Sequence, residues 1–259
     1  MKTLKFIFLA LLVSFSYTTN AQTAEEIIST YFENTGGIEN WNKLEGIKIS
    51  AKINQSGMEI PAEIVQLKSG KQMTVINIQG QSVKQNVFDG EVLWNTNMMT
   101  QKAEKGTKEA TENMKLQKAS FPDPFLNYKE KGFAIELIGE EEIAGTNTFK
   151  IKLTKTPITV DGKQEENVSY YFFDTENFVP IAIQNEIKLG PSKGKISETT
   201  FSDYQEVDGI YFAFSMTQGL KDQPGFSISI DSIELNPEVD AKAFTYPEDE
   251  ATPSTDKKN

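Results

Sequence analysis

Histidine and cysteine are both absent from this chain of 259 residues, and all 26 of its basic side chains are lysine. Without imidazole or thiol there is no Ser-His-Asp triad, no Cys-His pair, no histidine general base and none of the usual catalytic zinc sites. Without guanidinium, bidentate recognition of phosphate or carboxylate lacks its usual donor. What chemistry remains must come from carboxylates, hydroxyls and lysines. Ser192-Lys193-Gly194-Lys195 fits Ser-x-x-Lys, a spacing that activates serine when it lies on a helix with the lysine desolvated. Here it follows Gly190-Pro191 in a hairpin loop, and the same pattern recurs at Ser254–Lys257 in a polar tail. The run Glu140-Glu141-Glu142 reads as a solvated turn rather than a cation site. Asp174, Glu176 and Asn177 lack the alternating aspartates and bidentate glutamate of a calcium loop. A carboxylate pair for glycoside hydrolysis does not stand out among the 37 acidic residues. The expectation is a protein that is not an enzyme and uses no cofactor or metal.

The elements that would carry a binding site are clearer. Two lysines in Met1–Lys5, an apolar Phe6–Phe15 and a short polar Ser16–Ala21 form the three-part pattern of a secretory signal peptide. The apolar run is about ten residues, against roughly 20 needed to span a bilayer. The expectation is export to the periplasm with residues 1–21 removed, one domain over 22–247 and a disordered tail over 248–259. No cysteine is present to take a lipid anchor. The formal charge of −11 makes nucleic acid and anionic membrane surfaces poor partners for the body as a whole.

Thr23–Asn34 places Ile27, Ile28, Tyr31 and Phe32 on one helical stripe. Thr23 with Glu26 makes a capping box and Gly36-Gly37 stops the helix. From Gly46 the apolar period becomes two, and it persists to Leu235 in short runs joined by turn signals such as Asp89-Gly90, Asp161-Gly162 and Asp208-Gly209. The rhythm breaks over 104–131, a helical insertion carrying Met114, Leu116, Phe121, Phe125 and Leu126, in which Asp123 caps a short helix with Pro124 at its first position. About 11–12 antiparallel strands in sequential hairpins cannot stay flat. The fold class is therefore mainly β, an antiparallel unclosed or curled barrel covered by an N-terminal helix and a mid-chain helical insertion. One parity of several strands is apolar: Val168, Tyr170 and Phe172; Ile181 and Ile183; Ile210, Phe212, Phe214 and Met216; Phe226, Ile228 and Ile230. This parity serves a filled core and a ligand cavity equally well.

The ordered set of features resembles the periplasmic outer-membrane lipoprotein carriers and the wider lipoprotein-sorting (LolA-like) group. The pieces are the signal peptide, the helix ending Tyr31-Phe32-Glu33-Asn34-Thr35-Gly36-Gly37, and the hairpin Phe88-Asp89-Gly90-Glu91-Val92-Leu93-Trp94 with the insertion after it. Tyr170–Asp174 leading to Phe178-Val179-Pro180 follows, then Phe201–Tyr204 leading to Asp208–Phe212. The likeness spans residues 23–235. It implies an unclosed β-barrel around an apolar cavity with helices as a lid, holding acyl chains of lipoproteins or lipids. On this resemblance the lid comes from Ile27, Ile28, Tyr31, Phe32, Met114, Phe121 and Phe125. The wall comes from Trp94, Tyr170, Phe172, Ile183, Phe212, Phe214 and Ile228. The carriers use an arginine near the lid to hold the closed state, and this chain has none. The expected partners are an acylated lipoprotein or lipid and an envelope protein for loading or release. Nucleic acid and stable membrane insertion are not expected, and the chain is expected to be monomeric. A lipid- or lipoprotein-sensing interaction module on the same fold, and a ligand-free structural β-domain, are the alternatives.

Overall fold

The computed structural model describes residues 22–248. The expected signal peptide, and the expected tail beyond Glu248, lie outside them. Thirteen antiparallel strands form one sheet: β1 (Gly46–Gln55), β2 (Met58–Leu67), β3 (Gln72–Ile78), β4 (Gln81–Phe88), β5 (Leu93–Thr96), β6 (Ala103–Lys105), β7 (Ala134–Ile143), β8 (Thr146–Val160), β9 (Lys163–Asp174), β10 (Pro180–Glu186), β11 (Ile196–Val207), β12 (Ile210–Leu220) and β13 (Phe226–Leu235). Their order is β6-β5-β4-β3-β2-β1-β13-β12-β11-β10-β9-β8-β7, so each hairpin neighbour pairs and β1 closes on β13. The sheet is open between β6 and β7. The strand beyond the expected 11–12 is β6, whose three residues stand at the start of the stretch expected to be helical. They pair with β5 through Trp94 opposite Lys105 and Thr96 opposite Ala103.

Local chemistry accounts for the turns. Asp161-Gly162 and Asp208-Gly209 have φ of +50° and +74°, and of +48° and +83°, the paired left-handed conformation of a tight hairpin. Asp89 Oδ1 accepts from the N–H of Glu91 at 2.8 Å and of Val92 at 2.7 Å, so the Asp89-Gly90 signal is a side-chain-stabilised turn.

Helix α1 (Ala24–Asn34) carries the expected capping box. It lies in the concave face of the sheet, and the short α2 (Ile38–Asn42) follows it. Gly36, at φ +115°, lets the end of α1 meet the β11–β12 turn, where any Cβ would run into the carbonyl oxygen of Gly209. Tyr211 N–H then donates to Thr35 O at 3.1 Å. Helix α3 (Lys108–Gln117) guards the open edge. β7 pairs β8 only as far as Thr154, leaving the far end of β8 without a strand neighbour on that side. Asn113 of α3 takes the neighbour's place: its Nδ2 donates to Thr159 O at 2.7 Å and its Oδ1 accepts from Thr159 N–H at 2.9 Å. This covers a strand edge that would otherwise expose unpaired backbone. Asp123, expected to cap a short helix, instead stands in a run of turns from 121 to 132.

The core divides between the two faces. The larger cluster fills the concave face around Ile27, Tyr31, Phe32, Trp41, Phe125, Ile151, Leu153 and Phe173. The smaller one, with Val65, Met73, Val87, Trp94 and Phe244, lies on the outer face of β2–β5. There residues 239–246 strap across the sheet: Trp94 Nε1–H donates to Phe244 O at 3.0 Å and Tyr246 O–H to Ala103 O at 3.2 Å. Phe244 is fully buried. Phe244→Ala is expected to cost about 3–5 kcal/mol, read as a lowered urea midpoint with the concave cluster still intact.

Candidate functional site

The site lies where α1 and residues 121–133 fill the concave face. Tyr31 meets Phe173 edge-on at a centroid distance of 5.5 Å, and Phe125 meets Tyr171 at 4.7 Å and Phe173 at 5.5 Å. Phe32 and Phe212 flank Trp41 at 5.8 and 5.4 Å. Trp41 Nε1–H is satisfied by Thr35 O and Oγ1, both at 3.2 Å.

A partly buried carboxyl, Asp123, sits at the border of this apolar setting. Tyr31 O–H donates to Asp123 Oδ2 at 3.0 Å, and Phe125 N–H donates to Asp123 Oδ1 at 2.7 Å. Lys131 Nζ donates to the Asp123 carbonyl oxygen at 3.0 Å. Burial pushes the Asp123 carboxyl up, and the hydrogen bonds from Phe125 and Tyr31 and the Lys131 charge offset only part of that. Burial and the facing Asp123 charge hold the Tyr31 phenol far above its ordinary range. Burial lowers Lys131, with Asp123 opposing. The result is a bolt from α1 to the 121–133 segment. Asp123 stands out in the sequence only as an acid amid Phe121-Pro122 and Pro124-Phe125-Leu126.

Ile27, Ile28, Tyr31, Phe32 and Phe125 are buried in the concave cluster, and Phe121, Ile183, Phe212 and Phe214 pack at its border. Met114 lies at the edge, where Gln72 Nε2 reaches its sulfur at 3.2 Å. Three expected wall residues are elsewhere. Trp94 faces the outer cluster, because its partner across the ladder, Val87, points outward. Tyr170 and Phe172 also point outward, with Lys150 Nζ 5.2 and 5.3 Å from their ring centroids. Tyr170-Tyr171-Phe172-Phe173 is aromatic on both parities, so alternation could not choose between them. Pairing chooses, since Tyr171 lies opposite Ile151 and Ile183 on the inner face. Tyr171 and Phe173 are therefore the wall residues that sequence reading missed.

Beyond the aromatic cluster the concave face continues as an apolar row. The ladders set Phe201 opposite Met216, Met216 opposite Ile228, Ile228 opposite Ile53 and Ile53 opposite Ile60. All five are half-buried. At about 4.8 Å per strand the row is about 19 Å wide. A bulge in β13 at Asp231-Ser232 keeps Ile228 and Ile230 on the same face as Ile233 and Leu235. A groove of about 720 Å³ that shares Phe201 with this row opens at the C-terminal end of α1, lined also by Thr35, Val179, Ile181 and Tyr204 among others.

The polar motifs have structural duties. Asp174 Oδ1 accepts from Glu176 N–H at 2.7 Å and Oδ2 from Asn177 Nδ2 at 2.9 Å, closing its own hairpin. Glu141 pairs with Lys150 at 2.8 Å. Ser192–Lys195 forms a turn in which Lys195 N–H donates to Ser192 O at 3.0 Å. Among the described residues no group of three or more acidic side chains is disposed to hold a metal ion.

No family model and no curated protein matches the sequence. Solved structures do match. A LolA superfamily protein from Nitrosomonas europaea superposes with a TM-score of 0.52 at 14% identity, over 87% of this chain and 98% of that one. A DUF1329 family protein from Desulfovibrio piger superposes with a TM-score of 0.53 at 12% identity, again over 87% and 98%. At these identities the likeness establishes the fold, a LolA-like open barrel.

Two outcomes test the bolt. Tyr31→Phe leaves the buried carboxylate one donor short and is expected to cost about 1–3 kcal/mol in urea unfolding at neutral pH. Because the folded-state pKa of Asp123 is raised above the ordinary 3.8, the native protein retains a proton that the unfolded chain has lost. Its contribution therefore falls as pH rises through the interval between those two values, the reverse of a salt-bridged carboxylate. Asp123→Asn is expected to remove that part of the pH dependence of the urea midpoint.

Proposed function

We propose that this protein is a periplasmic carrier that binds an acylated lipoprotein or a lipid by its acyl chains on the concave face of the barrel, without a catalytic step. The observation that carries the proposal is the half-buried row Phe201, Met216, Ile228, Ile53 and Ile60. A structural domain gains by burying such a row completely, whereas a binding protein leaves it for a ligand. The fold and the sequence resemblance support the same reading. Each buried methylene is worth about 0.8 kcal/mol, so a chain of about sixteen carbons gains on the order of 12 kcal/mol before ordering costs. That is enough to displace part of the lid, whose own aromatic contacts occupy the covered end. The Tyr31–Asp123 bolt then sets how readily α1 and the 121–133 segment part.

Native mass spectrometry after incubation with a diacylated lipopeptide, together with displacement of a fluorescent fatty acid, tests the proposal. The expected result is one bound acyl species, with affinity reduced at least about tenfold by Ile228→Glu, a charge in the middle of the row. Failure of the wild-type protein to bind either probe would leave a ligand-free interaction domain on this fold.

A further inference from the structure

The groove at the C-terminal end of α1 has a lining of one electrical sign. It encloses about 720 Å³, within the range of about 300–1,000 Å³ usual for small-ligand pockets. The end of α1 forms one wall, and residues beside the β7–β8, β9–β10 and β11–β12 turns form the others. Asn34 Nδ2 donates to Asn177 O at 2.9 Å, and Tyr204 O–H donates to Pro180 O at 2.6 Å. These bonds pin the walls to one another. Inward the groove reaches Phe201, the first residue of the half-buried row. It is therefore continuous with the surface proposed for acyl chains.

The charged residues of the lining are Asp174 and Glu176, and no lysine lines it. The flanking sequence is equally one-sided. Residues 140–149, 174–187 and 196–220 hold Glu142, Asp174, Glu176, Asp203, Glu206 and Asp208 among their acids, and none of the 26 lysines. Residues 32–42, which include the end of α1, have no lysine either. Burial pushes the Asp174 carboxyl up, but hydrogen bonds from the Asn177 side chain and from the N–H of Glu176 and of Asn177 outweigh it and hold the group below its ordinary value. Asp174 is thus ionised at neutral pH. Helix α1 adds the same sign. Its last turn carries no basic residue, so the negative end of its dipole lies at the groove without a side-chain cation. Two lysines stand on neighbouring elements. Lys131 is held on the Asp123 carbonyl at 3.0 Å, and Lys150 is paired with Glu141 at 2.8 Å; neither lines the groove. Thr146, Thr200 and Ser202 supply neutral hydroxyls.

From this lining we infer that the groove receives the polar end of the acyl ligand and selects against a negatively charged one. The ligand class is an acyl chain on an uncharged linkage, as in an acylated peptide, rather than a phospholipid or a free fatty acid. A phosphate or carboxylate drawn into the groove meets two carboxylates and a helix C-terminus, with no cation to compensate. Chain burial still favours an anionic ligand, a fatty acid included, but less than a neutral one of equal length. The inference rests on the carrier reading and adds which head group that carrier takes.

Competition between matched probes tests it. Palmitoyl glycerol and palmitoyl lysophosphatidylglycerol carry the same chain and differ in the charged phosphoglycerol. Displacement of a fluorescently tagged acyl glycerol by each is the readout. At low salt the neutral probe is expected to bind the wild-type protein at least about tenfold more tightly, and the ratio should fall as added salt screens the carboxylates. Glu176→Lys, at an exposed turn position, is expected to bring the ratio to about one or below. Glu59→Lys makes the same charge change at the β1–β2 hairpin, at the other end of the sheet, and should leave the ratio at its wild-type value. Equal affinity for the two probes, or preference for the lysophospholipid, would overturn the inference and leave the carrier reading standing. An equal loss of preference in both variants would assign the effect to net charge and overturn the site. Binding of neither probe would remove the carrier reading itself, and the inference with it.

Discussion

A sheet whose concave side is apolar and whose two edges do not meet cannot stand in water uncovered, and the rest of this molecule follows from that. Helix α1 supplies the largest cover, laying Ile27, Tyr31 and Phe32 against Phe173 and Trp41. Residues 121–133 supply the rest at that end through Phe125 and Leu126. The open edge is handled separately, by α3 and the paired amide of Asn113. The outer face of β2–β5 is dry only where residues 239–246 cross it. Each covering element is held by a few specific hydrogen bonds over a broad apolar contact, so each is in principle separable from the barrel.

The Asp123 site shows how that separability is tuned. A carboxylate drawn partly out of water beside aromatics is costly unless donors meet it, and here the donors come from both sides of the lid: the Tyr31 hydroxyl from α1, and the Phe125 N–H from its own segment. An arginine would hold such a contact with several donors at once. A single phenol holds it with one, which makes a weaker bolt, and burial has already driven the carboxyl towards its neutral form.

Along the strands the molecule is polar in the sense of having two ends. At one, the concave face is filled by α1. At the other, the face is the half-buried row of Phe201, Met216, Ile228, Ile53 and Ile60. The row runs across five strands rather than along them.

Much of this was legible in the residues. The capping box of Thr23 and Glu26, the period-two rhythm, the Asp-Gly turns and the break near residue 104 are local signals, because backbone preference and hydrogen bonding act over a few residues. They suffice for an open antiparallel barrel with a helical cover. What they could not decide were matters of register and enclosure. Tyr170 to Phe173 is aromatic on both faces, and only pairing with Ile151 and Ile183 selects Tyr171 and Phe173 as the inner pair. Trp94 sits on a four-residue strand too short to declare its face, and it turned outward under Phe244. Asp123 gains its phenol donor only because α1 is laid beside it. The sequence by itself determined the elements and their apolar faces, since those depend on neighbours in the chain. The tertiary structure alone decided which face is inside and which charge is covered, since those depend on residues brought together from other strands and helices.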